Sequence, residues 1–157
     1  MTRRRTLITL IAVVVAAAPA RADEALAGDK LEIEGQIVRL FGIDAFEPGQ
    51  TCLDARGEPW RCGAVAEAAL AELIQGHGVA CTVIEEHSPE EYVARCTVRD
   101  RIDIGRYMIM AGLALADPNA PDEYADAEAA AQRARAGAWA GIFSRPWDWR
   151  KQQAKLN

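Results

Sequence analysis

The sequence predicts an α+β domain in which a small β-barrel carries packed helices. Strand-like segments come in two groups separated by one helix-like segment, and further helix-like segments follow the second group. This order lacks the regular alternation of strand and helix that a parallel α/β sheet needs, and it suits a small barrel. The chain has 157 residues, and removing the N-terminal 22 leaves 135, enough for one domain with a single core.

The first 22 residues have the three parts of a cleavable signal peptide. Arginines at positions 3–5 precede an almost uninterrupted apolar run from Leu7 to Ala18, and Ala20-Arg21-Ala22 supplies a small-x-small cleavage pattern. The apolar run is about a dozen residues long, whereas a membrane-spanning helix needs roughly 20. We therefore expect residues 23–157 to be exported, either to the periplasm or out of the cell. An uncleaved N-terminal anchor is the alternative, and no later segment is apolar enough to span a membrane.

The charge of the exported domain argues against strong binding of nucleic acid. Removing residues 1–22 takes away four arginines and no acidic residue, which leaves 14 basic against 23 acidic residues and a net charge of −9. Proteins that bind nucleic acid usually present a basic face, because neutralising phosphates supplies most of their non-specific affinity. Nucleic acid is therefore expected as a partner only with weakened affinity, through a local basic groove.

The first group of strands is predicted around a tight turn. Residues 31–34 and 36–43 are rich in apolar and β-branched side chains, and Gly35 joins them. Asp29 follows Gly28 at the start of this hairpin. Residues 49–62 contain many turn-forming residues and predict a loop.

A helix and a second hairpin follow the loop. Residues 64–75 are rich in alanine and leucine and end at Gly76, which predicts a helix. Residues 79–84 and 92–98 alternate in the manner of two strands, with a polar stretch between them. The later predicted elements are a short strand at 102–104, a helix at 105–111, a breaker segment at 117–121 and a helix at 123–136 ended by Gly137.

Four cysteines lie in the exported part of the chain, and an oxidising compartment makes disulfides the expected state. Cys81 and Cys96 lie in the two strands of the second hairpin, and their midpoint falls inside the polar stretch 85–91, so they are expected to face each other. That leaves Cys52 to pair with Cys62 across a short loop. A zinc site is the alternative, although no two cysteines have the two-to-four-residue spacing typical of zinc ligands.

Acidic side chains gather near the predicted strand ends. Besides Asp29, Asp44 and Glu47 come directly after the second strand, and Arg39 precedes Asp44 by five residues. Carboxylate oxygens are the ligands that calcium and magnesium prefer, and an arginine can neutralise a phosphate. A carboxylate left off the metal can take a proton from an attacking water. The pattern indicates metal-dependent phosphate chemistry, with solvated turn residues as the alternative.

Two blocks of sequence surround these residues, Gly28-Asp29 and Val38-Arg-Leu-Phe-Gly-Ile-Asp-Ala-Phe-Glu47. They resemble the pattern of the thermonuclease family, the staphylococcal-nuclease-like domains, which runs roughly D-G-D-T and then V-R-L-x-G-I-D-A/T-P-E. The resemblance implies a five-stranded OB-type barrel with about three helices, and calcium-dependent hydrolysis of DNA and RNA phosphodiesters. Further matching blocks extend over nearly all of the exported chain: Trp60-Arg-Cys-Gly63, Val93-Ala-Arg-Cys96, the segment 105–114 and Gly137-Ala-Trp-Ala-Gly141.

The resemblance implies a role for each site residue. Asp29 and Asp44 match the calcium ligands of the family, and Ala45 would add its backbone carbonyl. Glu47 matches the catalytic residue that orients or deprotonates the attacking water. Arg39 matches the first catalytic arginine, which binds the phosphate of the substrate. Metal and arginine together would stabilise the charge that develops on the phosphate oxygens.

Departures from the family pattern weaken the expected activity. The first aspartate of D-G-D-T is Ala27, and the threonine is Lys30, whose positive charge predicts weak calcium binding. Counted back from Val93-Ala-Arg-Cys96, the second catalytic arginine falls on Glu91, and a carboxylate there would repel the transition state. We therefore expect weak calcium-dependent hydrolysis of nucleic acid. The alternative is a catalytically silent OB-type module of the bacterial envelope that binds a peptide or a glycan.

The remaining polar and aromatic groups are expected to have no catalytic role. Glycines flank His77, which predicts a turn, and His87 lies in the polar stretch of the hairpin. Trp139, Trp147 and Trp149 are expected to pack rather than to stack on bases. The basic residues near the C-terminus are expected on a solvated helix face and tail: Arg133, Arg135, Arg145, Arg150, Lys151 and Lys155.

Overall fold

The structure is a computed structural model that describes residues 23–156. The signal peptide expected at residues 1–22 lies outside this range and stays a prediction. Within residues 23–156, no helix combines the length and the apolar character needed to cross a membrane. The elements in chain order are β1 (Glu24–Ala27), β2 (Lys30–Ile33), β3 (Gln36–Leu40), β4 (Ile43–Ala45), β5 (Cys52–Leu53), β6 (Pro59–Trp60), α1 (Cys62–Ile74), β7 (Val79–Ser88), β8 (Glu91–Val98), β9 (Ile102–Asp103), α2 (Ile104–Met110), β10 (Ala114–Ala116), α3 (Asp122–Ala134), a 3-10 helix (Gly137–Ala140) and α4 (Pro146–Gln153).

Five strands form a curled mixed sheet in the order β1-β2-β3-β8-β7, and β9 adds to the side of β8. Strands β3 and β8 run parallel, and the other pairs of this sheet are antiparallel. Parallel neighbours need a long connection, which here passes through β4, α1 and β7. The predicted α+β class with an OB-type half-barrel is confirmed, and four α-helices pack around it instead of about three.

The first hairpin turns as predicted, but its second strand is shorter than expected. Glu34 and Gly35 both have positive φ angles, 52° and 86°, as a two-residue hairpin turn requires. The strand predicted over 36–43 is wrong in its extent: β3 ends at Leu40, because Gly42 has φ 74° and breaks the extended backbone. The chain resumes as β4, which leaves the main sheet and pairs with β10.

The predicted helices agree with α1, α2 and α3 to within two residues at each end. Four short elements were not predicted from the sequence, namely β1, β10, the 3-10 helix and α4. Each has eight residues or fewer, so a periodic pattern has little length in which to show itself. The loop predicted over 49–62 contains one two-residue strand pair, β5 with β6.

Both predicted disulfides are confirmed. Cys81 and Cys96 are direct partners across β7 and β8 with Cα atoms 4.1 Å apart, and Cys52 bonds to Cys62 with a Cα separation of 5.6 Å. All four cysteines of the chain are therefore bridged, and the zinc alternative is wrong. The stretch 85–91 is not a loop, because β7 runs on to Ser88.

Two apolar clusters hold the domain together. The main core lies between the sheet and the helices α1 and α2, and includes Leu31, Val38, Leu70 and Met108. A second cluster forms around Phe46, Leu115 and the Cys52–Cys62 bridge. Two of the three C-terminal tryptophans, Trp139 and Trp147, pack against this second cluster, which confirms for them the expectation of packing.

Candidate active site

The turn between β1 and β2 holds Asp29 against the strands that carry the other predicted site residues. The backbone N–H of Ala45 on β4 donates to Oδ2 of Asp29 at 3.2 Å. The N–H of Leu40, at the end of β3, donates to the carbonyl oxygen of Asp29 at 2.8 Å. Because the break at Gly42 redirects the chain between β3 and β4, these two strands reach Asp29 from different directions. The predicted role of the Ala45 carbonyl as a metal ligand stays a prediction.

The predicted acidic residues influence one another electrostatically. Burial raises the pKa of the Asp29 carboxyl above its ordinary value of 3.8, and the charges of Asp44 and Glu47 raise it further. The Ala45 N–H and the Arg39 guanidinium act in the opposite direction on the same pKa. These charges act on the pKa of Asp29 only from nearby, and the hydrogen bond from Ala45 holds Asp29 next to the strand that carries Asp44. The structure therefore brings Asp29, Asp44, Glu47 and Arg39 into one region, although they come from different elements.

Close packing positions Glu47 in the loop after β4. The N–H of Glu47 donates to Oε1 of Gln50 at 3.2 Å, and the N–H of Gln50 donates back to the Glu47 carbonyl at 2.7 Å. Gln50 is fully buried, and its amide also donates to the carbonyl of Ser144 at 2.7 Å. At Gly63, near the start of α1, a Cβ atom would lie 1.6 Å from the Glu47 carbonyl oxygen, so only glycine permits this approach.

A basic residue from the last helix binds two of these carboxylates. Nη1 and Nη2 of Arg150 on α4 donate to the two oxygens of Asp44 at 2.8 and 2.7 Å, and Nη1 also donates to Oε1 of Glu47 at 2.6 Å. These hydrogen bonds, chiefly the one to Asp44, raise the pKa of the Arg150 guanidinium above its usual range. Arg150 lies on an exposed helix face, as expected, but its guanidinium is held in two ion pairs because α4 folds back against the segment after β4.

The donor set fits a hard cation in its chemistry, but Arg150 opposes the binding of one. Asp29 and Asp44 offer carboxylate oxygens, the ligands that calcium prefers. The carboxylates of Asp44 and Glu47 already bind one positively charged group, the Arg150 guanidinium. However, residues 23–156 contain no cluster of three or more histidine, cysteine, aspartate or glutamate side chains arranged to hold a metal. A metal ion at Asp44 would have to compete with a bidentate arginine, the geometry that makes such pairs strong.

An open cleft lies beside this region on the outer face of the sheet. Its volume is about 320 Å³, and Asp29, Arg39, His87, Val93 and Asp117 are among its lining residues. Arg39 is exposed and makes no hydrogen bond or ion pair with any residue that the structure describes. The residues around the cleft can therefore offer hydrogen-bond donors and a free positive charge to an anion.

Glu91, which matches the second catalytic arginine of the family, lies at the start of β8, and its expected effect on activity stays a prediction. Its direct neighbours are Ile37 on β3 and Ser88 on β7. Val93, the neighbour of Arg39, lines the cleft, whereas Glu91 is not among the described residues around it. The basic residue nearest to Glu91 in sequence that lines the cleft is His87, for which no role was predicted.

Two residues of the region, Arg150 and His87, could not be identified from the sequence. Arg150 is separated from Asp44 by 106 positions, and no local pattern connects them. His87 belongs to a stretch that looks like a polar loop and becomes a strand only through pairing with β8. The contact of Arg150 is long-range, and the place of His87 depends on the register of one hairpin; local periodicity reports neither.

Two comparisons with known proteins bear on the family of the chain. Residues 37–141 match the family described as staphylococcal nuclease homologue, from β3 through the 3-10 helix. The chain is also 35% identical over 114 residues to the succinoglycan biosynthesis protein ExoI of Rhizobium meliloti (strain 1021). The matched region covers 71% of this chain and 60% of that protein. The family match includes Arg39, Asp44 and Glu47 and takes in two thirds of the chain. On this match the chain belongs to the staphylococcal nuclease homologue family, a nuclease-type family.

Proposed function

We propose that this protein is an exported phosphodiesterase that hydrolyses nucleic acid weakly and with calcium. The observation that carries the proposal is the place of Asp29: it lines a cleft together with Arg39, which has no ion-pair partner among residues 23–156, and its pKa is raised by the nearby charges of Asp44 and Glu47. A free guanidinium beside an acidic cluster suits a phosphate group whose charge must be neutralised while a water attacks it. The two disulfides support export, because they form in oxidising compartments.

Each residue of the site has a distinct part in this reaction. Arg39 donates to the nonbridging oxygens of the phosphodiester, and Glu47 accepts the proton of the water whose oxygen bonds to phosphorus. The ester bond breaks on the opposite side, and the leaving alkoxide takes a proton from solvent water, which gives a phosphomonoester and an alcohol. Asp29, Asp44 and the Ala45 carbonyl would hold calcium, which supplies further stabilisation of negative charge when bound.

Low activity follows from the charges around the site. Arg150 neutralises Asp44 and Glu47, so it competes with a cation and also with the proton that Glu47 must accept. The exported chain carries a net charge of −9, which repels a polyanion at long range. We therefore expect turnover well below that of a nuclease with an unobstructed site.

A cleavage assay tests the proposal directly. Purified residues 23–157 are incubated with single-stranded DNA in calcium or in EDTA, and the fragments are quantified. We expect slow cleavage in calcium, none in EDTA, and loss of at least about a hundredfold in Glu47→Gln, the usual scale for removing a general base. Glu72→Gln, an exposed substitution on α1, is the matched control and should cleave as the wild type does. Cleavage that survives Glu47→Gln would refute the assigned role of Glu47.

A catalytically silent binding module is the second candidate. The observation that favours it is the bidentate pair between Arg150 and Asp44, since it blocks the same carboxylates that catalysis needs. The relative in Rhizobium meliloti is named for polysaccharide biosynthesis, so a glycan is the partner to test. Absence of cleavage at any calcium concentration, together with retention on an acidic polysaccharide column, would favour this candidate over the nuclease.

A further inference from the structure

We propose that His87 contacts the phosphate group of the substrate and works with Arg39 as the second basic residue of the cleft. This inference rests on the proposed function, which it deepens by naming a substrate-contacting residue and a phosphodiester monoanion as its ligand. Neither the family pattern nor the local sequence assigns a role to this histidine.

A β-bulge places His87 in the cleft. Along β7 and β8, Glu86 pairs with Tyr92 and Ser88 pairs with Glu91, so His87 is an extra residue without a partner on β8. Bulges of this kind bend the strand and redirect a side chain, and they are frequent beside active sites. The imidazole lines the same cleft as Arg39, with nearly half of its surface exposed.

Two positively charged side chains lie side by side on this face of the sheet. Lys30 on β2 is the direct neighbour of Arg39 on β3, so both side chains leave the sheet on the same face. Like charges directly opposite each other destabilise an antiparallel pair, and Arg39 has no ion-pair partner among residues 23–156. A bound phosphate would relieve this repulsion.

The acidic groups around His87 limit the charge of the ligand. Nδ1 of His87 lies 3.6 Å from Oε1 of Glu85 on its own strand, which leaves Nε2 available to a ligand. Asp29 from the β1–β2 turn and Asp117 from the segment after β10 also line the cleft. Two basic and two acidic residues around one cavity favour a phosphodiester, with one negative charge, over a phosphomonoester with two.

Ring signals of the two histidines provide a test that does not depend on catalysis. His77 lies in the turn after α1, where its Nε2 contacts Arg99, and it does not line the cleft, so it serves as an internal control. The dinucleoside phosphate TpT is added to residues 23–157 in EDTA, which keeps the diester intact, and both imidazoles are followed by NMR. We expect saturable shifts of the His87 signals, unchanged His77 signals, and affinity about tenfold weaker in Arg39→Gln.

Variant kinetics separate this proposal from the proposed function. In the calcium-dependent DNA assay, His87→Ala should lower kcat/KM about tenfold, His87→Gln should restore part of the loss through its amide N–H, and His77→Ala should have no effect. Arg39-dependent TpT binding without His87 shifts would overturn the role of His87 and leave the phosphodiesterase standing. If TpT moves neither histidine and Arg39→Gln changes nothing, both the inference and the proposed function fail.

Discussion

At the scale of single residues, Arg150 determines how accessible the carboxylates are to a cation. Its guanidinium neutralises Asp44 and Glu47, so removing its charge should leave two unpaired carboxylates. We expect Arg150→Gln to raise the affinity for calcium about tenfold or more, since hydrogen bonds between charged groups contribute about 1.5–3 kcal/mol. Isothermal titration calorimetry on residues 23–157 measures this directly.

Lys151 offers a matched control on the same helix. Lys151→Gln removes the same charge from α4, but Lys151 is exposed and, among residues 23–156, forms an ion pair with Asp148 alone, at 3.7 Å. Its calcium affinity should stay close to that of the wild type. If both variants gain affinity equally, net charge rather than the Asp44 pair would govern calcium binding, and the proposed competition would be wrong.

The raised pKa of Asp29 predicts a pH-dependent cost to stability. A carboxyl whose pKa is higher in the folded than in the unfolded state lowers the free energy of unfolding at neutral pH. This loss of stability disappears when the pH falls below 3.8, the ordinary pKa of the carboxyl, because the group is then protonated in both states. Asp29→Asn keeps an oxygen that can accept the Ala45 N–H but removes the charge. We expect this variant to have a higher Tm at pH 7 in EDTA and an unchanged Tm at pH 3. A lower Tm at pH 7 would contradict this prediction.

At the scale of elements, the Cys81–Cys96 bridge fastens the long β7–β8 hairpin. The two residues are 15 positions apart, and a loop of that size predicts a stabilisation of about 3 kcal/mol from the restricted unfolded chain. The double variant Cys81→Ala/Cys96→Ala should therefore lose about 2–4 kcal/mol in urea unfolding. Because β7 carries His87, the binding of TpT to this double variant should weaken as well.

The second bridge provides a comparison within the same molecule. Cys52 and Cys62 are 10 positions apart and hold the loop that supports Glu47, far along the chain from the hairpin. Cys52→Ala/Cys62→Ala should cost a similar free energy of unfolding, but it should reduce cleavage of DNA without changing the His87 shifts. Equal effects of both double variants on TpT binding would show that the hairpin has no separate role.

At the scale of the whole molecule, charge predicts how binding to DNA depends on salt. The acidic net charge leaves Arg39 and His87 in the cleft as the basic contacts, so few counterions should be released. With one or two phosphates neutralised, log affinity for single-stranded DNA should fall against log salt with a slope of about −0.7 to −1.4. A slope of about −3 or steeper would instead implicate the basic residues near the C-terminus.

Much of the fold can be predicted from the sequence because the signals for its hairpins and helices are local. Gly35 between two alternating segments was sufficient to place the first hairpin, and the alanine-rich periodicity was sufficient to place α1. Symmetry about the second hairpin paired Cys81 with Cys96. The blocks around Asp29 and Asp44 indicated the family and its carboxylates.

The contacts of Asp44 and the place of His87 could be known only from the tertiary structure. Gly42 separates β4 from β3 and sends Asp44 towards α4, where Arg150 binds it across 106 positions of sequence. The bulge at His87 exists only in the register of β7 against β8. Such features arise because side chains distant in sequence meet through packing and strand register, and a single sequence carries no periodic signal for either.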